Sequence, residues 1–111
     1  MSANYVYRAK LIRVIDGDTY VLDADLGFYV HAHITVRLRG VSCPERNAPG
    51  GAEATAWVTS LLTGANLLVT SYRDKMTFAR WVCDVKVIDP RGEPHDLAAA
   101  IVQAGHGVTY P

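Results

Sequence analysis

The stretch that decides the fold runs from Phe28 to Thr63 and reads FYVHAHITVRLRGVSCPERNAPGGAEATAWVTSLLT. Its first part, Phe28–Leu38, alternates in hydrophobicity, and Ile34, Val36 and Leu38 fall on one face with polar residues on the other. Side chains of a β-strand point alternately to the two faces of a sheet. The stretch therefore begins as a strand with one face in a core.

The second part of this stretch predicts a loop and then a helix. Residues 41–51 contain two prolines and two glycines, which favour irregular backbone. Residues 52–63 carry an apolar stripe at helical spacing, and Gly64 is a typical helix end. The stripe consists of Ala54, Trp57, Val58, Leu61 and Leu62.

The flanking segments predict four further strands and a short second helix. We expect strands over residues 5–15, 19–25, 66–72 and 79–88, a polar connection over 73–78, and a helix from the cap Asp96 to about Ala104. A helix between the third and fourth of five strands is typical of OB-type barrels. We therefore expect one mainly β domain over residues 1–111, a five-stranded Greek-key OB barrel with two to three short helices.

Composition narrows the class of protein. The 111 residues include 11 basic and 11 acidic side chains, so the net charge is zero. This balance argues against a non-specific nucleic-acid binder, although a local positive patch stays open. That patch would comprise Arg37, Arg39, Arg46, Arg73, Lys75 and Arg80.

Cysteine usage and hydropathy bear on the compartment. No apolar stretch is long enough to span a bilayer, and the first ten residues, MSANYVYRAK, lack the apolar core of a signal peptide. We expect a protein of the cytoplasm or of an unknown compartment, without a membrane partner and with Cys43 and Cys83 as free thiols, and a signal sequence removed by cleavage stays open. A disulfide between the two cysteines stays open.

Three short motifs each have an ordinary structural explanation when taken alone. VIDGDT (14–19) is typical of a hairpin turn, although its Asp18 could also face a hard cation. RLRGVSCPE (37–45) reads as a strand and a turn, with Arg37 outside the core. DKMTFAR (74–80) reads as a polar loop that enters a strand.

Taken together, in this order and at these spacings, the motifs resemble the staphylococcal nuclease (thermonuclease) family from about Tyr7 to Tyr110. The shared pattern is VIDGDT, then Arg-Leu-x-Gly-Val-x-x-Pro-Glu, then Glu-Ala near a helix start, then an Asp-Lys loop before Arg80. The resemblance implies an OB barrel and Ca²⁺-dependent endonuclease activity. The substrates it implies are DNA and RNA, preferably single-stranded, and we expect a monomer.

The resemblance also implies roles for individual residues. Asp18 matches the calcium aspartate, and Cys43 the position whose backbone carbonyl binds calcium. Arg37 and Arg80 match the two phosphate-binding arginines, and Glu45 the catalytic glutamate. Charged donors of this kind would hold a phosphodiester, and a carboxylate could orient or deprotonate the attacking water.

Two departures from the family pattern qualify these roles. Ser42 stands where the family usually has a second calcium aspartate, and since calcium affinity follows carboxylate count, we expect a weaker metal site. The loop before Arg80 is about two residues longer than in the best-known member. Lys75, Phe78 and Tyr110 are therefore the nearest candidates for substrate binding rather than firm matches.

Several alternatives stay open. A catalytically impaired OB module that binds nucleic acid or protein is the main one, and a purely structural or assembly role is another. His31 and His33 share a strand face but lack an evident third ligand for a metal. A Cys43 nucleophile lacks a positioned base. Trp57 is interpreted as core, and Trp81 as core or as a base-stacking residue.

Overall fold

Eight strands and two helices follow one another along residues 4–77 and 80–110, the part of the chain described by this computed structural model, with side chains described for 5–72 and 80–110. The strands are β1 (Asn4–Asp16), β2 (Thr19–Asp25), β3 (His31–Leu38), β4 (Val41–Ser42), β5 (Asn66–Thr77), β6 (Arg80–Ile88), β7 (Pro94–Asp96) and β8 (Val108–Thr109). The helices are α1 (Gly51–Leu62) and α2 (Leu97–Gln103).

The main sheet closes into a five-stranded barrel. Its order is β3-β2-β1-β5-β6, and a parallel pairing of β3 with β6 joins its two edges. Helix α1 lies between the third and fourth barrel strands along the chain, as in an OB-type barrel. The predicted fold class is therefore confirmed. Closure gives every barrel strand two neighbours, and the pairing that closes the barrel covers residues 36–38 of β3 and 81–83 of β6.

The core lies inside the barrel and under α1, and strand alternation explains its composition. Tyr20 and Leu22 of β2 and Val36 of β3 are fully buried, as the period of two requires. The predicted helix stripe faces this core at Ala54, Val58 and Leu62, which are also fully buried. Trp57 packs half-buried against the core, and Leu61 is exposed.

Two of the predicted element bounds are wrong. Strand β3 begins at His31 and not at Phe28, because Phe28 and Tyr29 have φ of 55° and 61°, a conformation outside the β region. The polar connection predicted for residues 73–78 belongs to β5 as far as Thr77. Met76 and Thr77 at its end pair with Trp81 and Arg80 of β6 in spite of the polar sequence, and the register shifts at an irregularity between Ser71 and Met76.

Trp81 takes an inward position of β6, opposite Val36, but it is 38% exposed. It lines a cavity of about 270 Å³ together with Tyr5 and Tyr7. The interpretation of Trp81 as a core residue is therefore right about the side of the strand on which it lies, but the side chain is not fully buried. Neither α1 nor α2 is long and apolar enough to cross a membrane, and no other helix occurs among the described residues.

Candidate functional site

The turn between β1 and β2 positions Asp18 at one end of the barrel. The residue is 7% exposed, and both of its side-chain oxygens accept hydrogen bonds. Oδ1 accepts a hydrogen bond from the Thr19 hydroxyl (3.1 Å), and Oδ2 accepts one from the backbone N–H of Cys43 (2.8 Å). The Asp18 carbonyl accepts from the N–H of Leu38 (2.8 Å), so the turn is tied to the end of β3.

Arg37 lies directly beside this carboxylate. Its Nη2 is 3.5 Å from Asp18 Oδ2, and its Nη1 donates to the carbonyls of Leu38 (2.7 Å) and Val41 (2.9 Å). The guanidinium carbon lies 5.8 Å from the ring centre of Tyr110. These contacts fix the guanidinium in one orientation, which is the property that suits an arginine to phosphate recognition.

The short sheet of β4 and β8 brings Tyr110 to this position. Val41 pairs with Thr109, and the Tyr110 N–H donates to the carbonyl of Gly40 (3.0 Å). A residue distant in sequence therefore flanks Arg37. The pairing of two-residue strands was not predictable from local pattern, because such short segments carry no periodicity.

Cys43 sits among charged groups but is not activated. Its thiol pKa is raised to about 11 by burial first and then by the charge of Asp18, while Arg37 acts in the opposite direction. A thiol with this pKa is protonated near pH 7, and thiolate is the nucleophilic and metal-binding form. The geometry gives no support to a cysteine nucleophile.

Tyr20 was not singled out as a site residue by the sequence motifs, and Asp16 was considered only as a partial replacement for the calcium carboxylate that Ser42 lacks. Asp16 Oδ1 accepts from the N–H of Arg46 (2.9 Å), and its charge also raises the pKa of Cys43. The buried Tyr20 hydroxyl donates to the carbonyl of Gly17 (2.6 Å), and burial holds its pKa well above the ordinary value. Both residues brace the Asp18 turn.

Close packing also explains the glycine of the motif. A Cβ on Gly17 would lie 3.0 Å from both Cβ and Sγ of Cys43. Contacts this short are rare, so a side chain at this position would push the turn away from the loop after β4. The Gly of VIDGDT therefore serves the approach of two segments as well as the turn.

Glu45 and Arg80 have fewer contacts with described residues than Asp18 and Arg37 have. Glu45 is exposed, in a turn where its carbonyl accepts from the N–H of Ala48 (2.9 Å). Arg80 is half-buried and begins β6. Since Arg37 pairs with Val82, strand alternation puts Arg80 on the same outer side of the barrel as Arg37.

The predicted site residues thus divide into two groups. Direct contacts bring together Asp18, Arg37, Cys43 and Tyr110. Across the described ranges 4–77 and 80–110, no hydrogen bond or ion pair links the side chains of Glu45 or Arg80 to this group. The predicted substrate contacts of Lys75 and Phe78 lie outside the described side chains.

A cavity of about 580 Å³ adjoins the site. Ser42 and Cys43 line it together with Glu53, an acidic residue in the first turn of α1. Sequence reasoning used Glu53 only as part of a family pattern. Acidic residues are common at helix starts because their charge interacts favourably with the helix dipole, so nothing in the sequence singles out Glu53 as functional.

A second group of polar residues lies in the turn between β6 and β7 and in the adjoining strand β7. Potential metal-ligating atoms of Asp89, Glu93 and His95 lie within 4.8 Å of one another. Asp89 Oδ1 accepts from the N–H groups of Arg91 and Glu93 (both 2.9 Å), and Oδ2 bonds His95 Nε2 (2.8 Å). These bonds, led by the one to His95, lower the Asp89 pKa and account for the group as a turn.

Comparison with models of known protein families gives no match, and comparison with curated proteins gives none either. The resemblance to the staphylococcal nuclease family therefore rests on the motifs quoted above, read together with the OB-type barrel.

Proposed function

We propose that the protein is a divalent-cation-dependent phosphodiesterase that cleaves DNA or RNA at the Asp18 end of the barrel. The observation that carries this proposal is the immobilised Arg37 guanidinium, 3.5 Å from the buried Asp18 carboxylate. A fixed cation beside a metal-binding acid is the arrangement that phosphoryl chemistry uses to offset the charge of the substrate.

The donors around Asp18 fit a hard cation such as Ca²⁺. Asp18 and Asp16 offer carboxylates, Ser42 a hydroxyl and Cys43 a backbone carbonyl, and all of these are oxygen ligands. When bound, calcium would neutralise a phosphate oxygen. Ser42 in place of a carboxylate predicts weak affinity, in the range of about millimolar.

Arg37 keeps donors for a substrate after its structural bonds are counted. A guanidinium has five N–H groups. Two carbonyls engage Nη1, and Asp18 lies beside Nη2, which leaves the Nε hydrogen and one Nη2 hydrogen. Arg80, on the same side of the barrel, would supply a second cation for the phosphate.

Glu45 and Tyr110 would complete the site from its exposed side. Glu45 is solvent-accessible, so its carboxylate can orient or deprotonate a water molecule. Tyr110 is 56% exposed beside Arg37, so its ring can stack on a nucleobase next to the bound phosphate. Unpaired bases stack most readily, which favours single-stranded substrates.

The test is cleavage of fluorogenic single-stranded DNA and RNA over a calcium titration, with chelator and with the variants Glu45→Ala and Ser42→Asp. We expect cleavage that requires calcium and is lost in Glu45→Ala. Ser42→Asp should lower the calcium concentration that gives half-maximal rate. His95→Ala is the matched control, since His95 belongs to the β6–β7 turn. Cleavage that persists in chelator, or no cleavage at any calcium concentration, would overturn the proposal.

A non-catalytic nucleic-acid-binding module is the second candidate. It is favoured by the fact that Asp18 and two carbonyls already offset the Arg37 charge. This candidate predicts that fluorescence anisotropy detects binding of labelled single-stranded DNA without calcium and without cleavage. Binding that weakens in Arg37→Ala and Arg80→Ala, with no turnover at any calcium concentration, would favour it.

A further inference from the structure

A group of four polar residues lies on the outer face of the β2–β3 hairpin, away from Asp18. The antiparallel register places Asp23 opposite His33 and Asp25 opposite His31. Alternate residues of a strand share a face, so all four side chains project from the same side of the sheet. A pair of histidines spaced in this way lacks only a third ligand to hold a metal, and Asp23 lies between them.

Distances around Asp23 support that geometry. Asp23 Oδ1 is 3.3 Å from His31 Nδ1 and 3.9 Å from His33 Nε2. Ligand atoms bonded at about 2.0–2.1 Å to a tetrahedral ion are about 3.3 Å apart. The first distance already equals this separation. The ligand atoms of all three residues do not yet lie within 4.8 Å of one another, so the imidazoles of His31 and His33 must turn toward each other, which their side-chain exposures of 51% and 72% allow.

Asp23 Oδ1 is also a buried acceptor without a hydrogen bond among the described residues. Buried polar atoms in proteins are nearly always bonded, and an exception calls for an explanation such as an ion. Lys10 pairs with Asp23 across β1 and β2, but its ammonium group donates to the carbonyl of Gly64 (3.3 Å). The nearest cation in register is therefore directed away from the carboxylate.

We propose that Asp23, His31 and His33 form a binding site for a divalent transition metal, with Zn²⁺ as the probe of choice. Two imidazoles and one carboxylate suit zinc and exclude calcium, which prefers oxygen ligands throughout. The fourth position would be filled by water or by Asp25, whose Oδ1 accepts from the N–H of Gly27 (2.8 Å) and whose Oδ2 has no hydrogen bond or ion pair among the described residues.

This metal site is separate from the proposed phosphodiesterase site. An extended strand rises about 3.3 Å per residue, which puts Asp23 roughly 16 Å from Asp18. The two sites also differ in ligand chemistry, since the donors around Asp18 are oxygens. Zinc binding at Asp23 therefore does not depend on whether the protein cleaves nucleic acid.

The test is isothermal titration of ZnCl₂ into full-length, metal-stripped protein that carries no polyhistidine tag. We expect one zinc ion per chain. His31→Ala, His33→Ala and Asp23→Asn should each weaken binding by more than about tenfold, since a lost second-shell partner alone costs roughly 10–100-fold. The matched control is His95→Ala, which removes the histidine of the Asp89 turn and should leave binding unchanged.

NMR of the histidine side chains identifies which histidines bind the zinc ion. In ¹H–¹⁵N spectra of the histidine rings, zinc should shift the nitrogens of His31 and His33 and leave those of His95 and His106 in place. Circular dichroism verifies that each variant is folded. The proposal is wrong if wild-type protein binds no zinc, if binding survives the double variant His31→Ala/His33→Ala, or if His95→Ala abolishes it.

Discussion

The two ends of strand β2 each present an aspartate, and the chain surrounds them differently. At the β1–β2 turn, Asp18 is 7% exposed and receives a hydroxyl, a backbone N–H and a guanidinium. Near the β2–β3 hairpin, Asp23 has a buried oxygen without a hydrogen bond from any described residue, and its neighbours are two exposed histidines.

The difference separates two uses of a carboxylate. A buried acid that the chain itself satisfies holds segments together and is fixed before any ligand arrives. A buried oxygen that the chain leaves unsatisfied costs stability until a ligand bonds it. Asp18 is therefore held in place by the chain itself, whereas Asp23 Oδ1 is held by no hydrogen bond from a described residue.

Removing each aspartate is the largest test of this comparison. Asp18→Ala should lower the free energy of unfolding by about 3 kcal/mol, because it leaves the Arg37 charge partly buried without its partner. Asp23→Ala should change it by no more than about 0.5 kcal/mol, since Oδ1 makes no hydrogen bond with a described residue and its neighbouring imidazoles are exposed. Urea denaturation measures both. Equal losses of unfolding free energy in the two variants would show that Asp18 and Asp23 do not differ in their contribution to stability.

A pair of glycines gives the next largest effect. A Cβ on Gly51 would overlap the carbonyl oxygen of Glu45, so Gly51→Ala should displace the Glu45 turn and destabilise by about 2–3 kcal/mol. At the hairpin end, Gly27 has φ of 84° with open space around it, so Gly27→Ala should cost only about 1 kcal/mol of backbone strain.

Thermal melts and cleavage assays of these two glycine variants distinguish the ends. Loss of activity confined to Gly51→Ala is expected. If Gly51→Ala melts at the wild-type temperature, the close contact between Gly51 and the Glu45 turn does not contribute to stability.

The charges and burial at the Asp18 end of the barrel predict slow alkylation of Cys43. Its raised pKa of about 11, against 9.0 for an ordinary thiol, reduces the thiolate fraction at pH 8 by about 100-fold. The greater nucleophilicity of a more basic thiolate offsets part of this, so we expect iodoacetamide to react roughly tenfold more slowly than with an exposed thiol.

The sign of the Asp18 effect can be tested in the same assay, in a Cys83→Ala background so that only Cys43 reacts. Asp18 raises the thiol pKa, so Asp18→Asn should lower it and accelerate alkylation. The matched variant at the other end, Asp23→Asn, should leave the rate unchanged. If Asp23→Asn accelerates alkylation, or if Asp18→Asn does not, the Asp18 charge does not control the pKa of the Cys43 thiol in this way.

The smallest effect concerns Tyr20. Tyr20→Phe removes the buried hydrogen bond to the Gly17 carbonyl and should destabilise by about 1 kcal/mol, since the carbonyl loses its donor. Tyr29→Phe at the hairpin end is the control, because Tyr29 is fully exposed and its hydroxyl is solvated. Denaturant midpoints of the two variants should differ. Identical midpoints would show that the hydrogen bond from Tyr20 to the Gly17 carbonyl does not contribute to stability.

Sequence pattern was most informative where local chemistry decides structure. Strand β2 has the predicted bounds, Thr19–Asp25, and Asp96 caps α2 by accepting from the N–H of Ala99 (3.1 Å). The pattern was least informative at β5, which continues through polar residues because β6 pairs with it. Partners from distant segments override local propensity in sheets.

The candidate site shows the same division. The motifs singled out Asp18 and Arg37, but not the bonds that join them to Thr19, Cys43 and two carbonyls. They also noted His31 and His33 without a third ligand, because Asp23 reaches them only through the register of β2 against β3. Register is set by turn geometry and by which face is buried, and single residues do not reveal it.

The sequence by itself determined the OB-type barrel, since alternating strands around one amphipathic helix allow few closed arrangements. It also determined which residue types could do chemistry. Only the tertiary structure decided that Asp18 is satisfied and Asp23 is not, because hydrogen bonds between distant segments depend on how the barrel closes. The physical reason is that burial and pairing are properties of neighbours in space, and most neighbours of a barrel residue are remote along the chain.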